Sequence, residues 1–144
     1  MKSLYLVAII AGEQVAITAE QVDSVVKVRD AVPVPSAAPF IAGLFALRSR
    51  VLTLVDCQFF VTGEHHDLVN GQEAIVVKVG GYSYGLLVDN VLNVVNVSNK
   101  EEPLPAALPA GWSAIGSAML EIDGKMHLVV DPQLLVNPSR RRAA

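Results

Sequence analysis

The chain has 144 residues, of which 52% are apolar and 17% charged, a length that suits one domain or two very small ones sharing a core. Valine and isoleucine together (30 residues) nearly double leucine (16), which favours a strand-rich fold over a helical bundle or a disordered chain. Three of the 11 basic residues are Arg140, Arg141 and Arg142, so the rest of the chain is acidic and poor in aromatic residues. No nucleic-acid partner is therefore expected.

The first apolar run, Leu4 to Ala11, is predicted to be a strand and not a secretion signal. It is short for the apolar core of a signal peptide, and Glu13-Gln14 interrupts it before any convincing cleavage site. Two longer uncharged stretches, Ala31 to Leu47 and Pro103 to Leu120, each contain three prolines, so neither is a credible membrane span. The single cysteine, Cys57, cannot form an internal disulfide. We therefore expect a cytoplasmic protein without direct membrane insertion.

The first half of the chain is predicted to consist of strands joined by short connections. The run from Leu4 returns after two residues at Gln14 to Ile17, which indicates a hairpin. Thr18 and Gln21 have the spacing of a capping box and predict one helical turn. Further strands are predicted at Ser24 to Arg29, Phe40 to Leu47 and Val51 to Val55, with a tight polar turn at Arg48 to Arg50.

The stretch Thr62 to Gly71 is the most polar internal segment and predicts an exposed loop that divides the chain almost in half. It contains His65-His66, the only cluster of metal-ligand residue types. Neighbouring residues of an extended segment point to opposite sides, so we expect a solvated loop and no metal site.

The second half is predicted to continue as strands. They are expected at Glu73 to Val79, Tyr82 to Val88, Val91 to Val97, Ala114 to Ile122 and Lys125 to Val130. Gly80-Gly81 and Asp123-Gly124 suit two-residue hairpin turns, because such turns need positive φ. Pro103, Pro105 and Pro109 indicate a rigid loop. Pro132 to Val136 is predicted to be a short closing helix with Asp131 as its N-cap.

Three apolar strands end in Val-Asp, at Asp56, Asp89 and Asp131. A catalytic pair of the aspartic-protease type would need Thr or Ser and then Gly after each aspartate, and none of the three is followed in this way. We therefore interpret them as structural turn caps. The chain also has no phosphate-binding glycine loop, no Gly-x-Ser-x-Gly turn and no metal-binding cysteine pair. Binding or scaffolding is favoured over enzymatic activity, and no cofactor is expected.

With these elements placed, the chain resembles the CheW-like family of chemotaxis coupling proteins from about Tyr5 to Val136. Four motifs carry the resemblance because they occur in the right order and spacing. They are Tyr5-Leu6-Val7 with Glu13 to Ile17, the segment Pro39 to Ser49, Val55-Asp56 followed by the Gly-x-x-Val-Asp-x-Val pattern of Gly85 to Val91, and Ala114 to Val136.

The resemblance implies an all-β fold of two intertwined, five-stranded Src-homology-3-like barrels with short helical turns and a short C-terminal helix. It implies a single domain over 1–138, with the polar loop near 62–72 between its parts, followed by a basic tail at 139–144. The implied function is that of a non-catalytic adaptor. Its implied partners are the regulatory domain of a CheA-type histidine kinase and the cytoplasmic tip of a methyl-accepting chemoreceptor.

The resemblance also implies where partners bind. By position, Val22, Gly43, Gly85 and Val91 would belong to or support a receptor groove between the barrels, and Arg48 would present its guanidinium to a partner. The alternative for the two valines is ordinary core packing, and for the two glycines close backbone approach. An exposed arginine without a partner is the alternative for Arg48.

The chain departs from the family pattern around the predicted turn. Ala46 stands where the family has Asn, Ser49 where it has Gly, and Thr53 where it usually has Pro. Losing that glycine removes an easy positive-φ position, so the loop carrying Arg48 is expected to have a different shape, and this difference bears on the choice of partner. The alternative functions are a barrel that senses a small ligand and a regulator that binds only the kinase.

Overall fold

A computed structural model describes residues 2–35, 37–64 and 66–137. Within these ranges the strands are β1 (Ser3–Ile10), β2 (Glu13–Thr18), β3 (Val22–Val28), β4 (Ile41–Leu47), β5 (Arg50–Asp56), β6 (Gln72–Val79), β7 (Tyr82–Leu87), β8 (Asn90–Val97), β9 (Gly116–Ile122) and β10 (Lys125–Val130). The helices are α1 (Cys57–Thr62), α2 (Ala110–Ile115) and α3 (Pro132–Val136), and Ala19–Gln21 forms a 3₁₀ turn. The predicted basic tail at 139–144 lies outside the described residues.

The strands form two five-stranded sheets that exchange segments of chain. Sheet A has the order β8-β1-β2-β10-β9, and sheet B has the order β3-β6-β7-β5-β4. The chain therefore begins in sheet A, builds all of sheet B and returns to complete sheet A. Each sheet contains one parallel pair, β2 with β10 and β5 with β7, and its other pairs are antiparallel.

Each sheet is closed by the segment that follows one of its edge strands. After β3, Val32 pairs with Leu44 of β4 through two backbone hydrogen bonds of 2.9 and 2.7 Å. After β8, Glu102 pairs with Met119 of β9 through bonds of 2.7 and 2.8 Å. The predicted all-β fold with two five-stranded barrels is confirmed.

The two barrels have the same topology, but the chain enters them at different points. The succession β3, β4, β5, β6, β7 of sheet B corresponds to β8, β9, β10, β1, β2 of sheet A. Because the equivalent strands pair in the same way, the chain of sheet A is a circular permutation of the chain of sheet B. The equivalence extends to the helices, since α1 follows β5 as α3 follows β10.

The largest hydrophobic cluster lies between the two sheets and not inside either barrel. Its buried members are Leu6, Ala8, Ile10, Val15, Ile17, Leu128 and Val130 of sheet A, Val55, Ile75, Val77 and Leu86 of sheet B, and Cys57, Val88, Ile115 and Leu135 from the helices and connections. We call this set the shared core. Smaller clusters fill the interior of each barrel. The central strands are thus buried on both faces, which explains continuous apolar runs such as Ala74–Val77 where a half-exposed strand would alternate.

The predicted strands and turns are present, although the strand expected from Ala114 begins at Gly116, and the helix predictions hold in part. Gly80 and Gly81 both have positive φ, as do Asp123 and Gly124, which confirms the two predicted hairpin turns. The helix after Asp131 is confirmed. The predicted helical turn is present as a 3₁₀ turn, but the capping box is wrong because the Thr18 side chain makes no cap hydrogen bond.

Two helices were not predicted, α1 and α2. Asp56 caps α1 and Gly63 ends it at a φ of 75°, but its residues Phe59 and Phe60 favour a strand locally. Helix α2 occupies residues expected to belong to a rigid loop and to the start of a strand. Its Trp112 and Ile115 pack against the shared core, so tertiary contact outweighs local propensity there.

We predict that loss of packing in the shared core destabilises both barrels together. Ile75→Ala should lower the free energy of unfolding by about 2–5 kcal/mol, because it leaves a cavity in a fully buried cluster. Trp112 fluorescence and far-UV circular dichroism should give coincident urea transitions in both proteins. Val51→Ala, at an exposed position of the same sheet, should cost less than about 0.5 kcal/mol. Separate transitions for the two probes would contradict a shared core.

A second prediction concerns the phenol of Tyr5, which helps to close sheet A. Its hydroxyl donates a 2.6 Å hydrogen bond to Oε2 of Glu101, on the segment after β8. Burial, reinforced by that hydrogen bond and by the Glu101 charge, raises the pKa of Tyr5 to about 12. The pKa of Tyr5 in the folded protein lies above the ordinary tyrosine value of about 10. The neutral phenol therefore contributes its full stabilisation of the fold below pH 10, and this contribution is lost as the pH rises through 12.

Ultraviolet titration should therefore show a phenol that ionises near pH 12 in the wild type. Tyr5→Phe should abolish this phase, and Glu101→Gln should move it to lower pH. Persistence of the late phase in Tyr5→Phe would show that another tyrosine is responsible.

Candidate partner-binding site

An open groove of about 420 Å³ lies between the barrels. It is lined by the 3₁₀ turn and the start of β3, the end of β6, and the first residues of α3; the lining residues are Glu20, Gln21, Val22, Asp23, Val77, Lys78, Val79, Pro132 and Gln133. Val22 is half-buried and packs against the shared core. The groove is thus a place where the shared core reaches the surface.

Asp23, one of the residues that line the groove, forms an ion pair with Arg50. Their carboxylate and guanidinium atoms are 2.7 Å apart, and Arg50 also donates to Oγ of Ser83 at 3.5 Å. The Arg50 hydrogen bond lowers the pKa of Asp23; burial opposes this, and the charges of Arg50 and Lys78 contribute to it. Both side chains are partly exposed, so the pair orients Arg50 more than it stabilises the fold.

Arg48 lies on the two-residue turn between β4 and β5. It has a φ of 57°, its side chain is exposed, and it makes no hydrogen bond or ion pair with any residue that the structure describes. The positive φ falls on Arg48 itself and not on Ser49. Arg48 is therefore a free cation on a short hairpin turn, next to an Arg50 that is already paired.

The predicted glycines lie within sheet B and not among the residues lining the groove. A Cβ at Gly43 would be 2.7 Å from the carbonyl oxygen of Val32, so this glycine permits the backbone pairing that closes the barrel. A Cβ at Gly85 would be 2.8 Å from Cδ2 of the buried Leu54. Both positions require close approach, and any effect on binding passes through the shape of the barrel.

Val91 lies near the start of β8, where it joins the two sheets. Its side chain packs against the shared core, and its backbone N–H donates a 2.9 Å hydrogen bond to Oε1 of Glu73 on β6. Val91 does not line the groove that contains Val22. Of the five predicted partner-binding residues, the structure thus places Val22 in the groove and Arg48 on an exposed turn.

The three aspartates lie on different turns and each accepts hydrogen bonds from backbone amides. Asp56 accepts from Phe59 at the start of α1, and Asp131 accepts from Gln133 at the start of α3. Asp89 was predicted to cap its own turn, but its carboxylate accepts instead from Gly12 in the β1–β2 turn, at 3.0 Å. The register of β8 against β1 places it there, so it ties the β1–β2 turn of sheet A to the crossover from β7 of sheet B.

The predicted His65-His66 pair is described only in part, since His65 lies outside the described residues. The amide of His66 donates to Oδ2 of Asp56 at 3.4 Å. Over the described ranges, no group of three or more histidine, cysteine, aspartate or glutamate side chains is placed to hold a metal ion. None of the helices described is long and apolar enough to cross a membrane.

The sequence analysis missed Asp23, Lys78 and Gln133 as parts of the groove. The Asp23–Arg50 pair joins residues 27 positions apart on β3 and β5, which are not neighbours in the sheet. A local pattern carries no signal for such a contact. The register of β3 against β6 shifts between Val22 and Ser24, which leaves the groove residue Asp23 outside the regular pairing, and only the observed register reveals it.

A comparison with known families gives a match that spans nearly all of this architecture. The model of the CheW-like domain matches residues 4–139. The chain belongs to the CheW-like family. The matched span includes both barrels, the groove and the turn that carries Arg48.

Named relatives agree with this assignment. The chain is 28% identical to a chemotaxis protein CheW of Rhizobium meliloti over 115 residues, which cover 79% of this chain and 74% of that protein. It is 26% identical to CheW of Treponema pallidum over 113 residues, 76% of this chain and 66% of that protein. In fold it is similar to the crystal structure of the scaffolding protein TtCheW from Thermoanaerobacter tengcongensis, with a TM-score of 0.80, 24% identity, and coverage of 91% of this chain and 90% of that one.

We predict that Gly43→Ala opens the closure of sheet B in this CheW-like fold. The added Cβ would collide with a backbone carbonyl, so Val32 must move and its two hydrogen bonds to Leu44 must lengthen. The free energy of unfolding should fall by about 1–3 kcal/mol, and the Leu44 amide should lose protection from hydrogen exchange. Ser49→Ala, in the nearby turn, should leave that protection unchanged. Unchanged protection in Gly43→Ala would mean that the backbone adapts without loss of pairing.

Proposed function

We propose that this CheW-like protein is a non-catalytic adaptor that couples chemoreceptors to a CheA-type histidine kinase, in chemotaxis or a related signalling pathway. The observation that carries the proposal is the family match over 4–139, which spans two complete barrels with an open groove between them. The relatives named as chemotaxis proteins support the pathway, and the fold shared with a scaffolding protein supports the type of role. We place the whole function in one domain over 1–138.

The surroundings of the aspartates support the non-catalytic part of the proposal. A catalytic pair needs two acidic groups facing one cleft. Asp56, Asp89 and Asp131 instead accept hydrogen bonds from the backbone amides of three separate turns. These hydrogen bonds fix the conformation of the turns, so the three carboxylates have a structural role.

We assign the groove to the receptor tip. A half-buried valine in its lining, flanked by polar and charged side chains, suits an amphipathic helix that inserts its apolar face and leaves its polar face in water. Val22 would contact the helix, and the Asp23–Arg50 pair would limit the charges it can carry. Gly43, Gly85 and Val91 would act indirectly by holding the barrels in place.

We assign the turn of Arg48 to the kinase regulatory domain. A guanidinium on a two-residue turn offers five donors in a fixed geometry, and this one is not neutralised by any described residue of its own chain. Arginine is also enriched among the residues that dominate protein interfaces. An acidic or carbonyl-rich surface on the kinase domain would complement it.

The test is direct binding of the purified chain to a CheA-type regulatory domain and to a receptor tip from the same organism. Wild-type protein should bind both, and Arg48→Glu should weaken binding to the kinase domain at least tenfold, equivalent to about 1.4 kcal/mol. Arg29→Glu reverses an equally exposed charge on another connection and should leave both affinities nearly unchanged.

Each other outcome identifies an alternative or contradicts the proposal. Binding to the kinase domain without binding to the receptor tip would identify a regulator that acts on the kinase alone. Binding to neither would overturn the adaptor proposal. In that case, a rise in melting temperature with a small molecule would favour a ligand-sensing barrel.

A further inference from the structure

The two barrels have equivalent open ends, and in sheet B this end is closed by side chains. We call the end of sheet B at which β5 begins, and the equivalent end of sheet A at which β10 begins, the mouths of the barrels. Arg50 begins β5 and reaches Asp23 of β3 at 2.7 Å and Ser83 of β7 at 3.5 Å. Two residues further along β5, on the same face, Leu52 is fully buried. An ion pair over an apolar residue thus closes the mouth of sheet B.

The same positions in sheet A carry residues that cannot form this closure. Lys125 begins β10 as Arg50 begins β5. The register of β8 shifts at Leu92 as the register of β3 shifts at Asp23. Because leucine stands where sheet B has the aspartate, Lys125 has no ion pair with any residue that the structure describes. The ion pair that bridges the mouth of sheet B therefore has no counterpart in sheet A.

An open hollow of about 500 Å³ occupies the mouth of sheet A. Its aliphatic lining consists of Val7, Leu92, Val95 and Ile122, and two of these, Val7 and Ile122, belong to the buried cluster inside the barrel. Ordinary small-molecule sites measure roughly 300–1,000 Å³, and the mouths of β-barrels are a common place for them. We call this space the mouth hollow.

A buried imidazole forms a fixed polar part of the mouth hollow. His127, the third residue of β10, takes the position that Leu52 has in β5, and it is only 4% exposed. Its Nδ1 lies 3.0 Å from the carbonyl oxygen of Lys125, and its Nε2 lies 3.0 Å from Oε1 of Gln14. These two contacts hold the ring, and they orient the Gln14 amide, which also lines the hollow.

The charged lining of the mouth hollow consists of one residue of each sign. Asp123 and Lys125 are both exposed, and neither has an ion pair within the described ranges. A ligand with a carboxylate alone would face the unpaired Asp123, and a ligand with an ammonium alone would face the unpaired Lys125. A small zwitterion satisfies both charges, because a charge-assisted hydrogen bond can form to each.

We propose that the mouth hollow binds a free amino acid with an aliphatic side chain. Its carboxylate would face Lys125 and the oriented Gln14 amide, and its ammonium would face Asp123. Its side chain would pack against Leu92 and Ile122 and remove apolar surface from water. This inference goes beyond the adaptor function and does not depend on it, since no kinase or receptor takes part.

Nuclear magnetic resonance titration of the purified full-length chain with L-leucine tests the proposal. The resonances of the His127 ring and of the Lys125 and Leu92 amides should shift and saturate, with a dissociation constant of about 1 mM or lower. Isocaproate lacks the ammonium of leucine, and isoamylamine lacks the carboxylate. Each should bind at least about tenfold more weakly, because one charged group of the hollow then remains unpaired.

Charge variants locate the site within the hollow. Asp123→Asn and Lys125→Gln should each weaken leucine binding at least about fivefold. Asparagine suits the turn, since Asp123 has a φ of 50° and asparagine tolerates this conformation. Lys27→Gln, which removes an exposed lysine from β3 of the other sheet, should bind leucine like the wild type.

A double variant tests whether the open mouth itself is required. Leu92→Asp with Lys125→Arg restores the ion pair of sheet B in sheet A and should abolish leucine binding. Circular dichroism should show that this variant folds. The proposal would be overturned by a wild type that shows no saturable shifts with leucine, by isocaproate or isoamylamine binding as tightly as leucine, or by unchanged affinity in both charge variants. Kinase and receptor binding are measured separately, so either proposal can fail without the other.

Discussion

The shared core between the two sheets is the constraint on which the rest of the structure depends. The buried cluster inside sheet B is small, consisting of Val28, Leu54, Ala74 and Leu87, and a barrel of this size buries too little surface to be stable alone. The larger cluster on the opposite faces supplies what each barrel lacks. Central strands must then be apolar on both faces, and this requirement accounts for the high valine and isoleucine content.

The position of the groove follows from the same constraint. Two curved sheets can cover one another only over part of their faces, so the shared core must end at a rim where apolar residues are half-buried. Val22 lies at that rim, beside residues of α3. The groove is therefore a geometric consequence of packing one barrel on another. Its chemistry is set by the few polar side chains at the rim, such as Asp23 and Lys78.

Sequence reasoning succeeded where the determinant is local and failed where it is tertiary. The Gly80-Gly81 and Asp123-Gly124 turns could be predicted because positive φ is a property of two adjacent residues. Asp131 was identified as a helix cap because Pro132 follows it, whereas the equivalent Asp56 precedes aromatic residues typical of strands. The groove depends on a bulge and on pairing between distant strands, and neither leaves a periodic pattern. The family resemblance, and not periodicity, pointed to Val22 and Arg48.

The conformation of Arg48 connects the fold with the proposed function. A left-handed conformation costs a residue with a side chain roughly 1–2 kcal/mol, and the other non-glycine residues with this conformation in the described ranges are Ala11, Asp30 and Asp123. Aspartate tolerates that region through local hydrogen bonds, but arginine has no such compensation. The β4–β5 ladder imposes it on Arg48 because Leu47 and Arg50 pair directly across a two-residue connection. A longer or glycine-containing turn would relieve the strain and also loosen the guanidinium, so strain and presentation of the charge arise from the same tight hairpin.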